Sequence, residues 1–550
     1  MHVEIDMRFS FCYDTYIRND KTYYKEVSMG IFIYVSIAKS VTEEEWSKVY
    51  EETLQFARIF SLAERKIVDI KGINVQCLAL TEEWTETCCD WEYTGWRADG
   101  DYMTMRTAEE YCMPKMLVKE EDVDAEAPDA IFGALPAYLD YDWKDERFQR
   151  NYHLWGDKTQ GEPYHMYLLA IACLMEARLG HKAFVYGDIT GGQCRAAVSM
   201  INDYLDEPID VPDRCDPDRL ADRVRQLPLS WKERLAVWKG FYLGNATKEM
   251  GDAMRKYFPE EVCEEYWRDQ FAGYHVDSYG FSMRIREYLT LGFDLEKLCS
   301  LVNYEDKYGK LRYGLFIKCI MDTKIYVKDK DCSDLLGIDQ DDQRPYGVER
   351  LFAQLVFGRA RNKKVNRYIP LEEVRKALEN GLSEICGNTV DISAEIDACL
   401  SKEEQEPSEM LRQVLETENE KIKDRAGHYD ITCYDSLLYY EDGDTILPDI
   451  EESLKEAYKL YQVLSEEDTC RELLSKPPRE RCQWLVRQNH SILMRDRDWE
   501  KIFTDIEENE TSFQRYYPMM RVRLSSNEII DMVRAMAIND ALYEYCSDIT

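Results

Sequence analysis

Glycine and proline are scarce in this chain, and their scarcity argues against folds that need many tight turns. The 550 residues include 26 glycines and 16 prolines, a smaller share than the roughly 12% that the two types average together. A sandwich or barrel of many short strands would need more turn formers. The shortage therefore favours long helices.

Positive charge and uncharged runs are also in short supply. The chain has 70 Lys and Arg against 106 Asp and Glu, a formal net charge of −36. Because nucleic-acid-binding surfaces are basic, we do not expect a nucleic-acid partner. No uncharged stretch reaches the roughly 18 residues of a membrane-spanning helix, and residues 1–6 have no secretory-signal pattern. These absences predict a cytoplasmic protein without a membrane partner.

Motifs for metal binding and catalysis are missing as well. The sequence contains no Cys-x-x-Cys, His-x-x-x-His, Gly-x-Ser-x-Gly or His-Glu-x-x-His pattern. Its 18 cysteines stand mostly alone in apolar segments, far below the density of a disulfide scaffold, so reduced thiols in the cytosol are expected. We expect neither a metal nor a cofactor, and the sequence favours binding over catalysis.

The N-terminal residues predict a small α/β unit. Residues 3–13 and 23–38 are rich in aromatic and β-branched types and predict a hairpin. Thr42 and Glu45 form a capping box, which predicts a helix, and residues 66–80 are strand-like. The expected unit therefore consists of a hairpin, a helix and a strand.

Helix signals dominate from about residue 163 onward. Capping boxes recur, and prolines stand where first helical positions are expected. The boxes are Thr190–Gln193, Ser230–Glu233, Ser401–Glu404 and Ser525–Glu528, and the prolines are Pro163, Pro217, Pro259, Pro370 and Pro448. Residues 183–187 predict one short strand within this helical region. The predicted class is α+β and predominantly α-helical.

The expected domain organisation has three parts. Residues 1–120 form the α+β unit, and residues 121–335 form a mainly helical domain preceded by an acidic linker or loop. Residues 336–550 form a C-terminal helical domain.

The segment 81–146 carries the most informative charge pattern. It has 19 acidic and 5 basic residues, an excess of 14 negative charges, and its tryptophans and tyrosines are interspersed with the carboxylates. Carboxylates and aromatic rings both attract guanidinium groups. The pattern predicts a surface for a basic protein, as in an immunity or inhibitor protein that masks a cationic toxin or nuclease. A solvated acidic loop anchored by its aromatic residues is the alternative. The candidate partner-binding residues are Trp84, Trp91, Trp96, Asp122, Asp124, Glu126, Asp129 and Trp143.

A second hypothesis concerns the strand–turn–helix unit 183–195. Glycine amides at a helix N-terminus favour an anion, and the helix dipole favours a thiolate in the first turn. An enzyme acting on a phosphorylated or nucleotide substrate would use Asp188, Gly191, Gly192, Cys194 and His165. The unit matches neither Gly-x-Gly-x-x-Gly nor a Walker loop, so a plain structural connection is the alternative. A structural or scaffold protein is the third hypothesis.

Overall fold

A computed structural model describes residues 31–88, 91–117, 129–135, 150–330, 364–387, 389–401, 430–431, 433–522 and 526–550. Helices predominate beside two antiparallel sheets and a short parallel pair of strands, which confirms the predicted class, α+β and predominantly α-helical. The strands are β1 (Ile33–Ala38), β2 (Leu62–Ile70), β3 (Ile73–Leu80), β4 (Trp84–Cys88), β5 (Trp91–Asp101), β6 (Thr107–Pro114), β7 (Asn151–Trp155), β8 (Ala183–Gly187), β9 (Asp430–Ile431) and β10 (Thr445–Ile446).

The helices begin after β1 and dominate from residue 164 onward. They are α1 (Glu43–Ile59), α2 (Tyr164–Leu179), α3 (Gly191–Asn202), α4 (Pro217–Arg225), α5 (Trp231–Phe241), α6 (Lys248–Tyr257), α7 (Glu260–Ala272), α8 (Tyr279–Thr290), α9 (Leu295–Cys299), α10 (Tyr313–Asp322), α11 (Leu371–Cys386), α12 (Ile392–Leu400), α13 (Pro448–Ser465), α14 (Asp468–Leu474), α15 (Pro478–Gln488), α16 (Asp496–Glu508), α17 (Ser512–Tyr516), α18 (Asn527–Ile538) and α19 (Asp540–Ile549). Among the described helices, none is both long and apolar enough to cross a bilayer.

The first sheet has three antiparallel strands in the order β7–β1–β8. Its strand β8 confirms the strand predicted at residues 183–187. Because β1 has β7 on one side and β8 on the other, residues 33–38 have no free edge for a hairpin with residues 3–13. Residues 3–13 themselves lie outside the described part of the chain.

The second sheet has the order β3–β2–β5–β4, and β6 pairs with β5. Residues 66–80, expected as one strand, form most of the hairpin β2–β3 instead. Its turn is Lys71–Gly72. Both residues have positive φ, 51° and 76°, as a type I′ hairpin turn requires. Strands β4, β5 and β6 lie inside the acidic segment and were not predicted.

Hydrophobic cores lie between the sheets and the helices that pack on them. Helix α2 is buried almost all round and packs against α1, α3 and β8. Ile70, Ile73 and Val75 of the β2–β3 hairpin share a hydrophobic core with the C-terminal helices from α13 to α19. The hairpin is therefore packed on residues far away in the sequence, while the two predicted boundaries between the three domains stay predictions.

Candidate binding surface

Strands β4, β5 and β6 bring acidic and aromatic side chains onto one face of the second sheet. In the pairing register Glu86 lies opposite Tyr93, and Trp84 lies opposite Gly95. Alternate residues of a strand share a face, so Trp84, Glu86, Tyr93, Arg97 and Glu110 form what we call the outer face. The opposite face carries buried residues such as Trp96 and Tyr111, which fixes the orientation of the sheet.

A guanidinium group is already bound within the outer face. The rings of Trp84 and Tyr93 stack with centroids 5.1 Å apart, and the Arg97 guanidinium lies 4.8 Å from the centroid of the Trp84 ring. Arg97 Nε is 2.6 Å from a carboxylate oxygen of Glu64 and 3.9 Å from one of Glu110. This face therefore combines the ring and the carboxylates that recognise a cationic side chain.

Three carboxyl groups lie together at the margin of the outer face, where β6 approaches residue 157. Burial of Asp157 and the nearby charges of Glu109 and Glu110 raise the pKa of Asp157 to about 6. Glu109 accepts a hydrogen bond from the Lys158 main-chain N–H at 2.8 Å. Like charges at short range disfavour ionisation, so a cation near this group would be stabilised by the carboxylates.

The raised pKa of Asp157 predicts a pH-dependent difference between the wild type and Asp157→Asn. Between pH 3.8 and about 6, the folded state holds a proton that the unfolded state has already lost. The free energy of unfolding therefore falls as the pH rises through this range. Asparagine has no such proton to lose, so the variant should gain stability relative to the wild type, by at most about 3 kcal/mol near pH 7.

Urea unfolding followed by tryptophan fluorescence between pH 4 and pH 7 measures this difference. A stability difference that does not change with pH would contradict the assigned pKa.

The predicted partner-binding residues have different positions. Trp84 is half-buried on the outer face, and Trp91 is the first residue of β5. Trp96 is completely buried, and its indole N–H donates to Thr53 Oγ1 at 3.1 Å, which is a core position. Asp122, Asp124, Glu126 and Trp143 lie outside the described residues.

Asp129 is held inside the protein by Arg223 of α4. Its carboxylate oxygens are 2.9 Å from Arg223 Nε and 2.6 Å from Nη2. The Arg223 side chain is 0% exposed, and that of Asp129 is 10% exposed. Asp213 and Glu176 complete the carboxylates around this guanidinium. Arg223 was missed in the sequence, although it stands among the buried positions Leu220, Ala221 and Val224.

The turn between β8 and α3 is buried at its glycines and its cysteine, while Asp188 is exposed. The Thr190–Gln193 capping box forms as predicted, and Gly191, Gly192 and Cys194 are buried. The Asp188 carboxylate accepts the Phe32 main-chain N–H at 3.1 Å. A hydrogen bond with the Cys173 thiol, together with burial, raises the pKa of Cys194, the opposite of what a nucleophilic thiolate requires. The geometry matches a structural connection.

His165 occupies the first turn of α2 and is completely buried. Its Nδ1 is 2.7 Å from Thr159 Oγ1, and burial lowers its pKa to about 4. A neutral imidazole bound to a buried hydroxyl is a core histidine.

Comparison with protein-family models, with curated proteins and with solved structures gave no significant match. Within the described ranges, no group of three or more His, Cys, Asp or Glu side chains could hold a metal ion. Arguments about function therefore start from the outer face itself.

Proposed function

We propose that this chain is a binding protein that engages a basic macromolecular partner through the outer face. An immunity or inhibitor protein that covers a cationic toxin or nuclease would bind in this way. The partner's arginines and lysines would contact Glu86 and Glu110, and one guanidinium would pack on the exposed ring of Tyr93.

The observation that carries the proposal is the binding of Arg97 between the Trp84 ring and two carboxylates. Tyr93 stacks on the Trp84 ring and is itself 38% exposed. Glu86 lies opposite Tyr93 and is exposed. A second guanidinium above Tyr93 would therefore find a ring and a carboxylate, the same two types of group that hold Arg97.

The energetics of such a surface favour fast association. An exposed ion pair contributes about 0.2–1 kcal/mol, and a cation–π contact at an exposed site about 0.5–1 kcal/mol. Several contacts are needed for tight binding, while the acidic field accelerates the encounter of the two proteins. We expect binding that weakens strongly as salt concentration rises.

The proposal is tested with a fluorescent nona-arginine peptide as the probe. The double variant Glu86→Gln/Glu110→Gln removes two charges from the outer face and should weaken binding about tenfold, or about 1.4 kcal/mol. The matched control Glu384→Gln/Glu472→Gln removes two exposed charges from helices α11 and α14. Equal affinity of the two double variants would contradict the proposal, because the net charge alone would then explain binding.

A second comparison tests the role of the aromatic ring. Arginine packs on aromatic faces better than lysine does, so the wild type should prefer nona-arginine over nona-lysine. Tyr93→Ala should reduce this preference. An unchanged preference would exclude Tyr93 as a contact.

We place this binding activity in the cytosol. The support is that 14 cysteines among the described residues are free, and free thiols persist in reducing compartments.

A further inference from the structure

Strand β3 has an open edge whose main-chain groups can be assigned from the register. The two-residue turn makes Ile70 and Ile73 the closing pair of the hairpin. Residues 73, 75 and 77 therefore direct their N–H and C=O groups at β2, and residues 74, 76 and 78 direct theirs away from it. The Leu78 N–H confirms this assignment, because it donates to the Met494 carbonyl on the far side at 2.9 Å.

On this edge of the described chain, the hydrogen bonding at Leu78 does not extend back to Gln76 and Asn74. The segment at Met494 and Arg495 contacts β3 as a single parallel bridge. Within the ranges that the structure describes, the outward main-chain groups of Asn74 and Gln76 have no hydrogen-bond partner. Two donors and two acceptors are thus left at the spacing of an extended strand.

A cavity of about 240 Å³ lies along these unpaired groups. Ile67 and residues 74–76 line it on the sheet side, and Val486, Asn489 and Trp499 line it on the side of helices α15 and α16. Trp499 is completely buried, and its indole N–H has no partner among the described residues.

We propose that this edge binds an extended peptide segment of a partner protein, which adds a strand beside Asn74–Gln76. Alternating main-chain donors and acceptors are complementary to another extended main chain, and such strand addition is a recurrent mode of peptide recognition. The peptide side chain that points toward α15 and α16 meets the half-buried side chains of Val486 and Asn489, and we expect it to be small and uncharged. The side chain that points the other way lies near exposed Ile67 and Gln76.

The shape of the cavity favours a single peptide strand over the edge of a folded sheet. The open edge is bounded by the Lys71–Gly72 turn at one end and by the 494–495 segment at the other. Helices α15 and α16 wall its side. The edge strand of a folded sheet, including that of a second copy, carries neighbouring strands that this wall would exclude. A single flexible strand of about three residues fits.

The experiment selects binders from a displayed library of random heptapeptides and compares two variants at one position. Gln76→Pro removes an outward N–H without breaking a bond to β2, because proline is tolerated at such edge positions. Gln76→Val changes the same side chain but keeps the N–H. Selected peptides should bind Gln76→Pro at least about tenfold more weakly than the wild type, and Gln76→Val should bind nearly as well as the wild type.

Hydrogen exchange gives a second readout that does not depend on the variants. The amides of Asn74 and Gln76 should exchange rapidly in the free protein and slowly with the selected peptide. Failure to enrich any peptide, or equal binding to Gln76→Pro, would overturn the proposal. Slow exchange of both amides in the free protein would also overturn it, since another segment of the chain or a second copy would then cover the edge.

This site is independent of the proposed outer face. The Glu86→Gln/Glu110→Gln variant should bind the selected peptides as the wild type does, so the two proposals can fail separately.

Discussion

Asp129→Ala should destabilise the protein by about 3–5 kcal/mol, because it leaves the buried guanidinium of Arg223 without its closest carboxylate. The two oxygens of Asp129 hold Arg223 at 2.6 and 2.9 Å. Asp129 also accepts the Ile131 main-chain N–H at 2.8 Å, which caps the short helix Ala130–Ala134. Alanine would remove both interactions, and water cannot replace them at a completely buried arginine.

The matched control is Asp210→Ala. Asp210 is 92% exposed and lies 3.9 Å from Arg219, so its removal should cost less than about 0.5 kcal/mol. Thermal and urea unfolding of the two variants give the comparison. A loss below about 1 kcal/mol for Asp129→Ala would show that this ion pair does not stabilise the fold. A large loss would also mean that a binding defect of any Asp129 variant reports misfolding, so this residue cannot test the proposed partner.

Gly251→Ala and Gly240→Ala should change stability in opposite directions. A Cβ on Gly251 of α6 would lie 1.8 Å from the Leu291 carbonyl oxygen, which belongs to the main chain. Helix α6 would have to move away from residue 291, and we expect this to destabilise the protein by about 3 kcal/mol. A Cβ on Gly240 of α5 would meet nothing within 4 Å, and alanine there should stabilise the helix by about 0.5–1 kcal/mol.

Thermal unfolding midpoints of the two glycine variants measure this contrast. If Gly251→Ala were as stable as the wild type, the close contact between α6 and residue 291 would be wrong.

Helix starts were predictable because their signals are local. The capping boxes at Thr42, Thr190 and Ser230 all form. The box expected at Ser525–Glu528 begins outside the described residues, and Ser526 caps the described helix by accepting the Ile529 N–H. Pro217 and Pro448 take the first helical position as predicted. Pro163, Pro259 and Pro370 stand one residue earlier, at the cap. The box expected at Ser401–Glu404 extends outside the described residues.

Strands β4 to β6 were not predictable in the same way, because their charged residues are paired over long distances in sequence. Arg65 Nε lies 2.5 Å from the buried Asp99, and Glu64 binds Arg97. Counting charges along residues 81–146 treats these carboxylates as surface charge, although the fold uses part of them internally. The charge count therefore does not show which carboxylates of the segment are exposed and which are paired inside the fold.

The candidate surface was predictable only in part for a related reason. Trp84 was selected from the sequence, while Glu86, Tyr93 and Glu110 were not. Their common face depends on the register that pairs Glu86 with Tyr93 and Arg97 with Cys112. A slip of one residue would move each strand's side chains to the opposite face, and no local pattern fixes that register.

The claim that the outer face binds cationic side chains is tested most directly by zero-length crosslinking. A carbodiimide joins a carboxylate to an amine that touches it, so a peptide of alternating arginine and lysine would mark the carboxylates in contact. Mass spectrometry of the crosslinked peptides should identify Glu86 and Glu110 as the main sites at moderate salt. Crosslinks spread over the acidic surface, or concentrated away from β4 and β6, would contradict the account.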